Sequence, residues 1–462
     1  MTSLRAALLM LFGASTHLAA QPLSLREAID RADDAAFQNR IATGTATVQR
    51  AQGTAALRGI LPSLRVEGGF VRTDDPIGAF GTTLRQRVVT QADFDPARLN
   101  FPPAINNYLG SAVVEQPLFN ADAWIGRRAA ERGADASSAT MEWTRMGTRV
   151  DVIRAYYGAM LAREKVTTLT TAVDAARAHV ARAEAMVRAG LATRSDALLA
   201  SVGAGEVEAQ LADAVAESRT AARELALVLG ETGRFEPELP DGLPGADAIR
   251  ALVVDGMIAD AADDVESRAD LAAAKLGVEA ARLDAMRARS LHLPRLNAIA
   301  RYDWNSPTRL YGGSAAWTVG VMATWTPLAG AGEIAEARVA HGREEVARAM
   351  ADAAHERARL EAERTANALQ AALARLEIAE RAVEQGAEAH RMVARKYESG
   401  LALVTELLDA AAMDTRGALA LSAARYAVIS ATADRLLSLG RDPAVLTRLD
   451  ADVRPVSHSP FR

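Results

Sequence analysis

Two stretches of this chain follow one script at a fixed distance. Gln116-Pro117-Leu118 leads into a long Ala/Arg/Glu-rich run, then Gly190-Leu191-Ala192, then a second run ending Leu229-Gly230. Thr326-Pro327-Leu328 opens the same succession, through Gly400-Leu401-Ala402 to Leu439-Gly440. Pro117 to Pro327, Gly190 to Gly400 and Gly230 to Gly440 keep a single offset of 210. Upstream, Leu61-Pro62-Ser63-Leu64 echoes Leu293-Pro294-Arg295-Leu296 with an offset of 232. The repeats therefore differ mainly by about 22 residues inserted between the two prolines of the first. One architectural unit is used twice, which rules out any fold without internal duplication.

The N-terminus reads as a leader. Arg5 precedes an apolar run from Ala6 to Ala14, and small residues end at Ala20. One positive charge, a short apolar core and a small-residue cut site make residues 1–20 a signal peptide, cleaved after Ala20. The chain has no cysteine, so disulfides, thiolate metal sites, thiol catalysis and a cysteine-linked lipid are all excluded. After Ala20 no run of about 18 apolar residues offers a transmembrane helix. The formal charge of -5, with acids and bases interspersed, gives no basic surface for nucleic acid.

Each repeat divides in the same way. Repeat 1 covers 21–232, a Pro-rich linker 233–248, repeat 2 covers 249–441, and 442–462 reads as a polar, poorly ordered tail. Ser24 and Glu27 form a capping box ahead of the apolar stripe Leu25, Ala28, Ile29, Ala32 and Ala36. That helix is read through to about Gly59, and its repeat 2 equivalent from Ala248 or Val265 to Ser290. Strands are expected at 63–72 and 108–116, and again at 295–304 and 315–326. From Asp122 to Ala189, and from Glu333 to Ser399, no proline interrupts a helical pattern. A helix of that size is about 100 Å long. Gly190 and Gly400 close these helices, and return helices run to Leu229 and Leu439, the first capped by Ser195 or Thr193. Two shorter helices of about 55 Å end to end match one long helix, so each repeat is a helical pair with a β-hairpin.

Four strands cannot close a barrel, which starts near eight. They form either an open sheet or one share of a barrel built by several copies. Strand chemistry favours the shared barrel. Trp317, Val319, Val321, Ala323 and Trp325 alternate with Thr318, Gly320, Met322 and Thr324. An apolar face with a tryptophan at each end suits a transmembrane strand and its interface aromatics. Tyr302 and Phe70 are expected at the same interfaces.

With these junctions, tips and strands in place, the chain resembles the TolC family of outer-membrane efflux proteins over essentially all of its mature length. The resemblance implies a mostly α fold with a β-hairpin per repeat: long antiparallel helical hairpins and four transmembrane strands per chain. Three copies would make a 12-stranded barrel and a 12-helix periplasmic tunnel. It further implies an exit duct of a tripartite efflux or secretion system, fed by an inner-membrane transporter through a periplasmic adaptor protein. Outer-membrane lipid surrounds such a barrel. The tips Gly190, Leu191, Ala192 and Gly400, Leu401, Ala402 would be the adaptor-docking points. Glu406 and Asp409 take the positions of the family's acidic entrance constriction, a ring that draws cations. Tyr397 and Asp196, with Ser195 beside it, take those of the entrance latch. Ala402 stands where an arginine usually completes that latch, with Arg194 nearby as a substitute.

The rival readings are weaker. For an enzyme, the seven histidines show no metal-ligand spacing, and no cofactor is expected. Gly330-x-Gly332-x-x-Ala335 imitates a nucleotide fingerprint, but about 65 helical residues follow instead of a βαβ unit. A periplasmic structural coiled coil or an adaptor without a pore is the remaining alternative. It does not call for strands flanked by tryptophan or for the long 74–107 segment.

Overall fold

The computed structural model describes residues 22–233, 237–255, 264–310, 312–327 and 330–452. The signal peptide lies outside these residues, as do Leu328, part of the linker and the last ten residues. The chain runs α1 (Leu25–Ala35), α2 (Phe37–Ala55), β1 (Ser63–Thr73), α3 (Pro76–Gln86), α4 (Pro96–Asn100) and β2 (Ile105–Phe119). It continues with α5 (Ala121–Arg188), α6 (Arg194–Val228), α7 (Ala246–Asp255) and α8 (Ala269–Ser290). Then come β3 (Arg295–Ser306), β4 (Ser314–Thr324), α9 (Gly332–Glu398) and α10 (Val404–Ser438). The fold is mostly helical with a small antiparallel sheet. It divides into two compact units. One takes the described residues within 1–42, 142–268 and 357–462, the other 43–141 and 269–356.

The first unit is a helical core. The Ser24 hydroxyl accepts from the Glu27 amide at 3.1 Å, and Leu25, Ala28, Ile29 and Ala32 are buried. They pack with Val150, Ile153, Tyr156 and Tyr157 of α5, Leu225 of α6 and Val428 and Leu436 of α10. The Tyr156 hydroxyl donates to the Leu23 carbonyl at 2.8 Å.

The first helix is two helices, broken at Ala36, where ψ is 135°. Alanine is a good helix former, so the cause is tertiary. Gly230 passes so close that a Cβ there would meet the Ala35 carbonyl oxygen at 2.2 Å. Asn39 stitches the break, its amide donating to the Ala32 carbonyl at 3.0 Å. In repeat 2 Gly440 lies against the backbone of Arg268, just ahead of α8 and offset from Ala36 by the 232 residues already noted.

One expectation is corrected here. Within the expected loose tail, Pro443–Asp452 form a 3-10 helix that buries Leu446 and Leu449 in the same core. Their apolar spacing of three outweighs the polar surroundings. The linker is also pinned, with Leu239 and Leu243 buried and the Leu243 amide donating to Glu164 Oε2 at 2.9 Å.

In the second unit the strands lie in the order β1-β2-β3-β4, all antiparallel. The two hairpins, one per repeat, join through β2 and β3. A register shift between Pro117 and Phe119 ends the β2–β3 pairing beside α5. The long segment between β1 and β2 carries α3 and α4. Asp75 caps α3, with Pro76 in its first turn. Buried Gln86 donates to the Asn106 carbonyl at 2.8 Å, and Asn107 to Asn305 Oδ1 at 2.8 Å, tying the segment to the sheet.

Candidate functional site

The two tips have the same geometry. At the end of α5, Gly190 has φ +73°, its amide donates to the Val187 carbonyl at 3.0 Å, and the Leu191 amide to Met186 at 2.9 Å. At the end of α9, Gly400 also has φ +73°, donating to Tyr397 at 3.0 Å, with Leu401 donating to Lys396 at 2.8 Å. This pair of bonds closes the last turn of a helix, and the left-handed φ favours glycine. Nothing lies within 4 Å of a Cβ at either position, so conformation alone calls for glycine. The following leucines stand in solvent, Leu191 75% and Leu401 78% exposed. Ala402 instead packs against a small core of Ala183, Ala200, Tyr397, Val404 and Leu407. That core joins α5, α6, α9 and α10 and so brings the two tips together.

Thr193, not Ser195, caps α6. Its hydroxyl accepts from the Asp196 amide at 3.3 Å, while Asp196 Oδ2 accepts from the Thr193 amide at 2.9 Å and hydroxyl at 2.8 Å. Those bonds, the backbone one first, hold the Asp196 carboxyl below its ordinary value. Ser195 lies 2.7 Å from the Thr193 hydroxyl. Tyr397 is buried, and burial, then the charge of Asp196, pushes its phenol up. The hydrogen bond that the resemblance implies between Tyr397 and Asp196 is not made. Asp196 is committed to Thr193, and the Tyr397 hydroxyl has no partner among the described residues. Nor does Arg194 form an ion pair among the described residues; Arg182 of α5 instead reaches Glu398 of α9 at 2.5 Å. No motif marks that pair, and only the helix packing reveals it.

Glu406 and Asp409 share the exposed face of α10, opposite buried Val404, Leu407 and Ala410. Glu406 Oε2 lies 3.4 Å from the Leu403 amide, a weak cap, because Leu403 offers no side-chain acceptor. Both carboxylates are thus held at the first turns of a helix, where negative charge is favoured. Among the described residues no cluster fit to hold a metal ion is found.

The sheet has two chemically opposite faces, set by register. Leu64, Val66 and Phe70 of β1 align with Val114, Ala112 and Tyr108 of β2. These align with Ala300 and Tyr302 of β3, and on β4 with Val319 and Trp317. The other face carries Arg65, Glu67, Glu115, Asn297, Arg301 and Asp303. There Asn297 donates to Glu115 at 3.0 Å and Arg301 to Asp303 at 2.8 Å. Trp317 is 75% exposed and Trp325 63%, with Tyr302 and Phe70 about half exposed, the last 4.9 Å from Tyr108. Pairing adds Tyr108, Trp304 and Phe119 to the aromatics expected. Trp304 lies across Gly110, where a Cβ would meet its ring at 2.0 Å.

A family model for outer membrane efflux proteins matches residues 45–231 and 264–440, one segment in each repeat. The chain belongs to the outer membrane efflux protein family. No curated protein matches it by sequence. Among solved structures, it is similar in fold to the CmeC outer membrane channel of Campylobacter jejuni, with 14% identity and a TM-score of 0.74. That match covers 93% of this chain and 89% of the other. VceC, an outer membrane protein of Vibrio cholerae, gives 18% identity and 0.73 over 91% and 96%. The MtrE outer membrane channel of Neisseria gonorrhoeae, in its open state, gives 17% and 0.70 over 91% and 90%. This outer membrane efflux protein thus shares its fold with channels far from it in sequence.

Proposed function

We propose that three copies of this outer membrane efflux protein close a 12-stranded barrel in the outer membrane and form a passive exit duct. Substrates reach it from an inner-membrane transporter through a periplasmic adaptor. The observation that carries this reading is the sheet. Its apolar face and its long unpaired edges, β1 and β4, are both exposed in the single chain. An open, apolar edge strand invites pairing with another chain. An even number of antiparallel strands lets β4 of one copy meet β1 of the next, still antiparallel, until no edge remains. Three copies supply twelve strands, within the range of membrane barrels. The apolar face then meets lipid, aromatics sit at both interfaces, and the charged face lines the lumen.

The tips and the acidic pair follow from the same assembly. Leu191 and Leu401 are exposed apolar knobs on rigid turns, suited to docking an adaptor. Glu406 and Asp409, repeated in three copies, give six carboxylates around an entrance, a ring that concentrates cations and slows anions.

Single-channel recording in planar bilayers tests both levels. The expected result is a small cation-selective conductance, blocked by millimolar divalent cation and relieved by combined Glu406→Ala and Asp409→Ala. A conductance that ignores the two substitutions discards them as entrance residues and keeps the channel. Absence of any conductance removes the channel itself.

A further inference from the structure

We infer that His179 and His390 form a proton-responsive seam beneath the tips, whose protonation loosens the packing of α5 against α9 and α10 and frees the entrance turns to open. This rests on the channel reading for its consequence, though not for the seam itself.

His179 of α5 is 9% exposed, and neither of its ring nitrogens has a hydrogen-bond partner among the described residues. Its ring meets that of His390 of α9 edge to face, with centroids 5.7 Å apart. His390 in turn is fixed by α10, with Nδ1 2.9 Å from Asp414 Oδ2. One imidazole is thus held by a carboxylate, while the other is buried with nothing to receive a proton's charge. Buried polar groups are ordinarily satisfied, so such a side chain marks a place tuned for something other than stability.

The charges around the pair come from each packed helix. Arg182 lies one turn along α5 and is paired with Glu398. Asp414 approaches from α10. On α6, Glu208 is taken up by Arg177 of α5. Burial, then His390, then Arg182 all lower the affinity of His179 for a proton. The packed seam therefore prefers neutral His179. Its stability is complete above the ordinary imidazole range and is lost as pH falls through the lowered value. A proton on His179 would face His390 on one side and Arg182 on the other, in a buried contact.

The location gives this consequence. Val180 and Val393, each within a turn of one histidine, pack against the core that joins the two tips. Arg182–Glu398 then ties α5 to α9 two residues short of Gly400. Strain introduced at the histidines is released into these turns, which are the segments that hold Leu191, Leu401 and Glu406.

Amide hydrogen exchange of the full chain, corrected for intrinsic rates, tests this at about pH 7.5 and about pH 5.5, where imidazoles titrate and most carboxylates do not. Exchange over 180–200 and 393–410 is expected to rise severalfold at the lower pH. His179→Leu should abolish the rise while leaving exchange at the higher pH slow, and His390→Gln should reduce it. If His179→Leu does not fold, His390→Gln carries the test alone. No rise in the natural protein, or an equal rise in the variants, overturns the seam. Bilayer open probability is read in parallel. An exchange response with no conductance at either pH keeps the seam and refutes the channel.

Discussion

An arginine placed on the apolar face of β4 should cost far more than one placed a single residue away. Val321 pairs with Ala298, and Met322 with Asn297. The two are 63% and 57% exposed in the single chain, so neither substitution opens a cavity or forces a clash within it. Any difference between them comes from what covers each face in the assembly. In the proposed barrel Val321, midway between Trp317 and Trp325, lies at the level of the membrane centre. There an outward arginine costs about 2–4 kcal/mol, and in three copies about 6–12 kcal/mol per assembly. Met322 faces the polar side, where an arginine beside Asn297 and Glu115 should cost close to nothing. The assay is folding into lipid vesicles across a urea series, followed by the heat-modifiable mobility of the folded barrel. Val321→Arg should shift the midpoint strongly toward the unfolded form, and Met322→Arg should leave it near that of the natural protein. Equal costs at the two positions, or the larger cost at Met322, would refute the face assignment and with it the lipid-facing sheet.

Three other outcomes follow. Replacing Leu191 and Leu401 together by Asp should change stability by less than about 0.5 kcal/mol, because both are exposed. It should abolish export in cells that depend on the duct, measured as substrate accumulation with normal protein levels. Gly230→Ala combines a left-handed φ of +76° with the contact to the Ala35 carbonyl. It should destabilise by about 3 kcal/mol or more, seen as a lowered thermal midpoint. Asp196 carries a lowered carboxyl pKa, so its cap is fully present above the ordinary aspartate value and is lost as pH falls through the lowered one. Amides at the start of α6 should therefore stay protected down to about pH 4, and Asp196→Asn should remove the acid-dependent step.

Much of this architecture was legible because it rests on residues with few alternatives. Gly190 and Gly400 mark left-handed turns, and the absence of proline from 122 to 189 permits one unbroken helix. Alternation in Trp317–Trp325 exposes a two-faced strand. What escaped depends on partners distant in sequence. Ala36 has no local reason to break a helix; the break answers the approach of Gly230. The helix at Pro76–Gln86 was signalled by Asp75-Pro76, yet the surrounding glycines and prolines obscured it. Leu446 and Leu449 are too few to show periodicity, and their burial needs the core already built. At the first tip, Thr193-x-x-Asp196 was readable as a cap. That cap is why the carboxylate is unavailable to Tyr397. The histidine pair joins residues 211 positions apart, one from each repeat, and only packing brings them together.

The most direct measurement is the mass of the full chain purified in detergent, taken with its state in detergent-free buffer. Closure of β1 on β4 predicts an assembly of three chains that needs detergent and yields monomers only after heating. A soluble monomer or dimer without detergent would contradict the barrel, leaving a helical protein with an open sheet and no pore.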